Sequence, residues 1–213
     1  MKTKAISVVG ALALSWVTLP QTAVAGVGVS NTVHYTQPTK MSIGLEPVIT
    51  FNKGAGLSGN LRFNYGLSDL SNLNLLIGSG GGSKNFRFGG NLTFDFFPDI
   101  QGQPGIGMAV QGIYYRTPAP TQADASATIG LLDLVGIPYI HKTFKMSGSD
   151  EIEPFFAVPL GLQLSDGRYT GQGSLVFGTL FTNHPKFRYS MELGIGVSSN
   201  TQSYFSAALI YVP

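Results

Sequence analysis

A chain of 213 residues with only 11% charged side chains, 28 glycines and no cysteine cannot dress a soluble surface in the usual way, since soluble domains carry about 25% charge. The missing cysteine removes a disulfide framework, a thiolate metal site, a thiol nucleophile and a lipoprotein acylation site. The formal charge of +2 leaves no broad basic surface for nucleic acid.

Residues 1–25 read as a secretory signal peptide. Lys2 and Lys4 form a positive start, residues 5–19 are apolar and uncharged, and Ala23-Val24-Ala25 is a small-x-small cleavage site ahead of Gly26. The apolar stretch is short for a helical span, which needs roughly 20 residues, and no later segment approaches one. Both excess charges sit in this leader, so the remainder is neutral and long enough for one domain.

Residues 26–40 are a lead-in or one further strand, and residues 41–213 alternate with the period of two that marks strands with two different faces. Residues 42–51 set Ile43, Leu45, Ile49 and Phe51 outward and Glu46 inward. Residues 57–66 set Leu57, Leu61, Phe63 and Tyr65 against Ser58, Asn60, Arg62 and Asn64. Residues 72–78 are short, and residues 85–96 set Phe86, Phe88, Leu92, Phe94 and Phe96 against Asn85, Arg87, Asn91, Thr93 and Asp95. Residues 106–116 follow, with Ile106, Met108, Val110 and Tyr114 outward. A sixth strand lies within 127–144, where residues 131–135 are apolar on both faces apart from Asp133. Residues 152–164, 171–181, 187–198 and 203–212 complete the set. Turn signals separate the runs, among them Ser68-Asp69, Pro98-Asp99, Ser165-Asp166-Gly167 and Asn183-His184-Pro185.

These segments have the roughly nine to eleven residues that a tilted membrane-spanning strand needs. The expectation is an all-β, single antiparallel up-and-down transmembrane barrel of ten strands, with eight or twelve as the neighbouring counts. Pro47, Pro138, Pro154 and Pro159 fall inside proposed strands, where each removes a ladder hydrogen bond, and have to sit at bulges or rims. The polar face carries Glu46, Arg62, Arg87, Asp95, Arg188 and Glu192 among Gly, Ser and Asn. Balanced charges of this kind fit a narrow lumen in which Arg62, Arg87 and Arg188 pair with Glu46, Asp95 or Glu192.

The segment YGLSDLSNLNL, residues 65–75, has the form of a strand, a tight periplasmic turn and a strand. The closing YFSAALIYV, residues 204–212, puts Phe205, Ala207, Leu209 and Tyr211 in alternate places. In these features and in its leader the chain resembles the small outer-membrane β-barrel proteins of Gram-negative bacteria, the broad group around the OmpA, OmpX and OmpW types. The resemblance implies an outer-membrane location after cleavage behind Ala25, with outer-membrane lipid as neighbour. It also implies a C-terminal signal at Phe205, Leu209 and Tyr211, read by the barrel assembly machinery, although Val212 and Pro213 follow the last aromatic residue. With both termini periplasmic, Tyr65, Phe96, Phe181, Phe187, Tyr189 and Tyr211 gather into one aromatic girdle near the periplasmic interface.

Catalytic signals are thin, and no cofactor or metal site is expected. Outer-membrane lipid-modifying enzymes and proteases need a base beside a serine or an acid, and beyond the leader the histidines are His34, His141 and His184. Each reads as a solvated or interfacial side chain. The run GSGGGSK at 78–84 fails the phosphate-loop pattern, since Ser83 stands at the second glycine. Asp150, Glu151 and Glu153 lack a calcium-loop spacing and read as a solvated turn. Two roles remain: a narrow or closed barrel with a structural or surface-interaction role, and a passive pore favoured by small inward residues such as Gly44, Ser174, Ser190, Gly194 and Gly196.

Overall fold

The computed structural model describes residues 36–52, 55–81, 86–100, 102–118, 128–146, 148–165, 167–198 and 201–213. The leader and residues 26–35 lie outside these. In chain order the strands are β1 Met41–Phe51, β2 Gly56–Ser68, β3 Ser71–Gly80, β4 Phe86–Phe97, β5 Gly105–Pro118 and β6 Thr128–His141. They continue as β7 Phe144–Lys145, β8 Glu151–Ala157, β9 Leu160–Ser165, β10 Arg168–His184, β11 Phe187–Gly196 and β12 Ser203–Tyr211. All pairings between named strands are antiparallel, and β12 returns to pair with β1, so the sheet closes.

The wall holds ten strands, as the alternation predicts. Segments β8 and β9 keep one register against β6 and β10 and form a single wall strand, and β7 extends β6 against β8. Among the described residues each of the ten wall strands is paired on both sides, so the closed wall has no edge strand. The partner row that starts at Glu46 runs through Asn60, Gly78, Arg87 and Tyr115, from the middle of β1 to near the far end of β5. Rows that climb in this way belong to strands tilted by roughly 35–45°.

The prolines lie where the ladder breaks. Pro47 pairs with Gly59 on β2, but the β1 to β12 ladder skips from Leu45 to Val48. Val158 and Pro159 interrupt the seventh wall strand opposite Pro138, and the gap is bridged by Val158 N donating to Pro138 O at 3.0 Å and Ser174 N to Pro159 O at 3.0 Å. Pro154 stays inside β8, where its carbonyl accepts from Lys142 N at 3.2 Å. Register shifts at Gly66/Ser68, Asp95/Phe97 and Thr182/His184 all fall at the rim that carries the even-to-odd connections.

Residues 36–40 form no strand. Pro38 makes one isolated bridge to Gly66, Thr39 N donates to Gly66 O at 2.8 Å, and Thr36 is buried with its hydroxyl 3.4 Å from that of Ser42. Gly66 is required there, because an added Cβ would collide with the backbone of Gln37.

The two faces of the wall separate as the alternation requires. Leu45, Phe63, Phe88, Val110, Leu134 and Met191 are exposed on the outside, while Glu46, Asn60, Arg62, Asn91, Thr93 and Ser206 are buried inside. The ambiguous sixth strand resolves with Leu132, Leu134 and Ile140 outward and Leu131, Asp133, Val135, Ile137 and Tyr139 inward.

Candidate functional site in the barrel interior

Neighbouring strands β1 and β2 bring the first charge pair together. Glu46 lies opposite Asn60 in register, and its Oε2 accepts from Asn60 Nδ2 at 2.6 Å and from Arg62 Nε and Nη2, each at 2.7 Å. Across β11 and β12, the Tyr204 hydroxyl donates to Glu192 Oε1. Arg87 is 1% exposed and passes close to Gly78, where an added Cβ would stand 2.7 Å from its Nε. It interacts electrostatically with Glu46 and is repelled by Arg62, yet none of its three guanidinium nitrogens makes a hydrogen bond among the described residues. The expected network thus forms at Arg62 and Glu46 and leaves Arg87 without a direct carboxylate contact. Arg188 sits with Glu151 and Glu153 as its compensating charges, because Thr182 pairs with both Glu151 and Arg188 and brings those strands into one row.

The second cluster was not anticipated. His141, expected as a solvated or interfacial residue, is buried at the even-to-odd end of the barrel. Its Nε2 is 3.2 Å from Asp95 Oδ2 and its Nδ1 is 2.6 Å from Glu153 Oε1, while Tyr139 donates its hydroxyl to Asp95 Oδ1 at 2.9 Å. Asp95 therefore pairs with a histidine rather than an arginine. Glu153 turns into the lumen, so the proposed solvated acidic turn is divided between rim and interior. Just outside, Lys142 Nζ donates to Asp99 Oδ1, and Thr143 N donates to Asp99 Oδ2 at 2.6 Å.

The interior is also less polar than the alternation implies. Ala109, Val135, Ile137, Tyr139, Phe155, Ala157 and Val176 form a buried apolar cluster on the β5 to β10 side. Nearer the other end, Leu76, Ile113, Tyr115 and Leu131 form another, where Tyr115 and Gln163 hold the buried Asp133 carboxylate.

Inward glycines receive rings from directly paired strands. Gly194 faces Tyr204, Gly178 faces Phe155, Gly107 faces Tyr139 and Gly105 faces His141. In each case an added Cβ would meet the side chain opposite at a distance no real Cβ shows. Gly44 differs, since an added Cβ there would stand 3.4 Å from an Ile210 carbon, an ordinary van der Waals contact. Gly105, Gly107, Gly178 and Gly194 are thus slots of a packed interior rather than free space.

On the outside, Tyr65, Phe96, Tyr189 and Tyr211 are exposed and Phe181 and Phe187 half-buried, all near the even-to-odd ends of their strands. Phe187 and Tyr211 touch, with ring centroids 5.4 Å apart. In the closing strand Phe205, Leu209 and Tyr211 face outward, and Tyr204 and Ser206 face inward. Part of the glycine run, 82–84, lies outside the described residues.

The architecture is that of a closed ten-stranded antiparallel β-barrel with an apolar exterior and a filled interior. The chain is similar in fold to a bacterial polysaccharide outer membrane secretin, at 11% identity and a TM-score of 0.48, over 82% of this chain and 65% of that one. It is also similar to an outer membrane channel from Pseudomonas putida, at 10% identity and a TM-score of 0.45, over 88% of this chain and 100% of that one. No family model and no curated protein sequence matches the chain.

Proposed function

We propose that the chain is an integral outer-membrane β-barrel protein with a closed lumen and a structural or surface-interaction role. The carrying observation is the inversion of the two faces: large apolar side chains are exposed on every wall strand, while Glu46, Arg62, Arg87 and Glu192 are buried inside. Such an exterior is stable against hydrocarbon and aggregates in water. The leader, cleaved behind Ala25, delivers the chain across the inner membrane. Phe205, Leu209 and Tyr211 serve the assembly machinery, and the six aromatic residues near the even-to-odd ends form the periplasmic girdle.

The filled glycine slots favour a closed barrel over a passive pore. A non-enzymatic role is favoured by His141, whose two ring nitrogens are both engaged by carboxylates, leaving neither to activate a nucleophile. Planar-bilayer recording on the refolded protein tests the reading. A closed lumen gives no conductance steps above the lipid baseline, whereas regular steps would replace this reading with the pore.

A further inference from the structure

The chain does not enter β1 straight. Residues 37–40 make a tight turn in which Lys40 N donates to Gln37 O at 3.0 Å, and Thr39 stands at φ 63°, a left-handed backbone uncommon for threonine and suited to a sharp reversal. The turn is tied to the end of β2 by Thr39 N donating to Gly66 O at 2.8 Å and Gly66 N to Lys40 O at 3.0 Å.

The reversal lays Thr36 and Gln37 on the inner face of the wall. Gly66 has the inward parity of Asn60, Arg62 and Asn64, and a Cβ on it would collide with the carbonyl oxygens of both residues. The Thr36 hydroxyl stands 3.4 Å from that of Ser42, which accepts from Asn64 Nδ2 at 2.8 Å. Asn72 is the register partner of Gly66. Ser42, Asn64 and Asn72 lie near the even-to-odd ends of β1, β2 and β3, where water at an open mouth would reach them, yet they are 0%, 1% and 0% exposed. The hold on the segment is uneven. Three backbone hydrogen bonds of 2.8–3.0 Å fix the turn, whereas the Thr36 hydroxyl contact at 3.4 Å is longer than the 2.7–2.8 Å usual between hydroxyls.

We infer that residues 36–40 form a strap that closes the polar side of the lumen at its even-to-odd mouth, hinged at the turn and released by withdrawing Thr36 from Ser42 and Gly66. Beneath it the inward row Ser42, Asn64, Asn74 and Asn91 crosses four strands, and a lifted strap opens the head of that row to water. The inference rests on the closed-lumen reading and deepens it by naming what covers one mouth.

Thiol labelling tests the strap, since the chain has no cysteine of its own. Ser42→Cys, folded in detergent, is treated with a charged, water-soluble methanethiosulfonate, alone and with a second change that lifts the strap. Thr36→Asp puts a charge into the buried seat, and Gly66→Val fills the space that the strap crosses. Each should speed labelling about tenfold, as a tenfold rise in the open fraction requires, while the outward Gly59→Ala leaves the rate unchanged. Thr36 lies outside the wall strands, so its variant decides the matter even where Gly66→Val prevents folding. An unchanged rate in the Thr36 variant, or labelling of Ser42→Cys alone as fast as that of the exposed position in Ser68→Cys, would overturn the strap. Planar-bilayer recording of the unaltered protein keeps the two readings apart: conductance steps there defeat the closed lumen, whereas a silent bilayer with equal labelling rates defeats the strap alone.

Discussion

Tyr204 lies across Gly194, its direct partner on the adjacent strand, and from that position its hydroxyl reaches Glu192. One glycine thereby seats a ring, and the ring in turn orients a buried carboxylate. Gly194→Val should displace the ring and lower stability by about 1–3 kcal/mol, the usual range for overpacking. Gly59, which faces outward with nothing near its Cβ position, is the control. Denaturant unfolding in detergent should separate the Gly194 variant from a neutral Gly59→Ala; equal midpoints would mean the slot is not needed.

The buried arginines should respond in opposite ways. Arg62→Met leaves the Glu46 carboxylate buried without its cation and should cost about 3–5 kcal/mol. Arg87→Met removes a guanidinium that has no hydrogen bond to lose, and should leave stability unchanged or raised. The same unfolding assay reads both, and a large loss for the Arg87 variant would mean that its attraction to Glu46 outweighs its burial.

At the rim, burial pushes the Asp99 carboxyl up, but Lys142 and the Thr143 amide outweigh it and hold the group below its ordinary value of 3.8. A carboxylate depressed by folding contributes stability that is complete above the unfolded value and lost as pH falls through the lower, folded one. The tether between Asp99 and residues 142–143 should therefore persist through neutral and mildly acidic pH and release below about pH 3.8. Hydrogen exchange at the Thr143 amide follows it: Asp99→Asn should remove the acid-induced step, and an unchanged step would place its origin elsewhere.

Much of this molecule is legible in the chain, and the reason is physical. Each clean strand needs large apolar groups on one side only, so β1, β2 and β4 can be read to within a residue or two, with Glu46, Arg62, Arg87 and Asp95 on the inner face. Residues 131–135 resist because their inner face packs against other apolar side chains, which erases the contrast that alternation depends on. The partners of a lumen charge are set by the registers of several strands at once. Asp95, His141 and Glu153 meet from three separate wall strands, and no local spacing signals that meeting.

The closing strand offers a prediction that separates stability from recognition. A charge at Tyr211, near an interface, should cost only about 0–1 kcal/mol of folding energy. Tyr211→Asp should therefore refold in detergent yet fail to insert in cells. Normal cellular insertion would show that the assembly signal lies elsewhere or that Val212 and Pro213 have displaced it.

The central claim is that the apolar face meets hydrocarbon and the charged face the interior. With no native cysteine, single cysteines can be placed for spin labels at Leu45, Val110 and Met191 outside and at Ser206 inside. In reconstituted vesicles the three outer labels should relax strongly with dissolved oxygen and weakly with a water-soluble nickel chelate. Strong nickel relaxation at all three would place that face in water and contradict the membrane barrel.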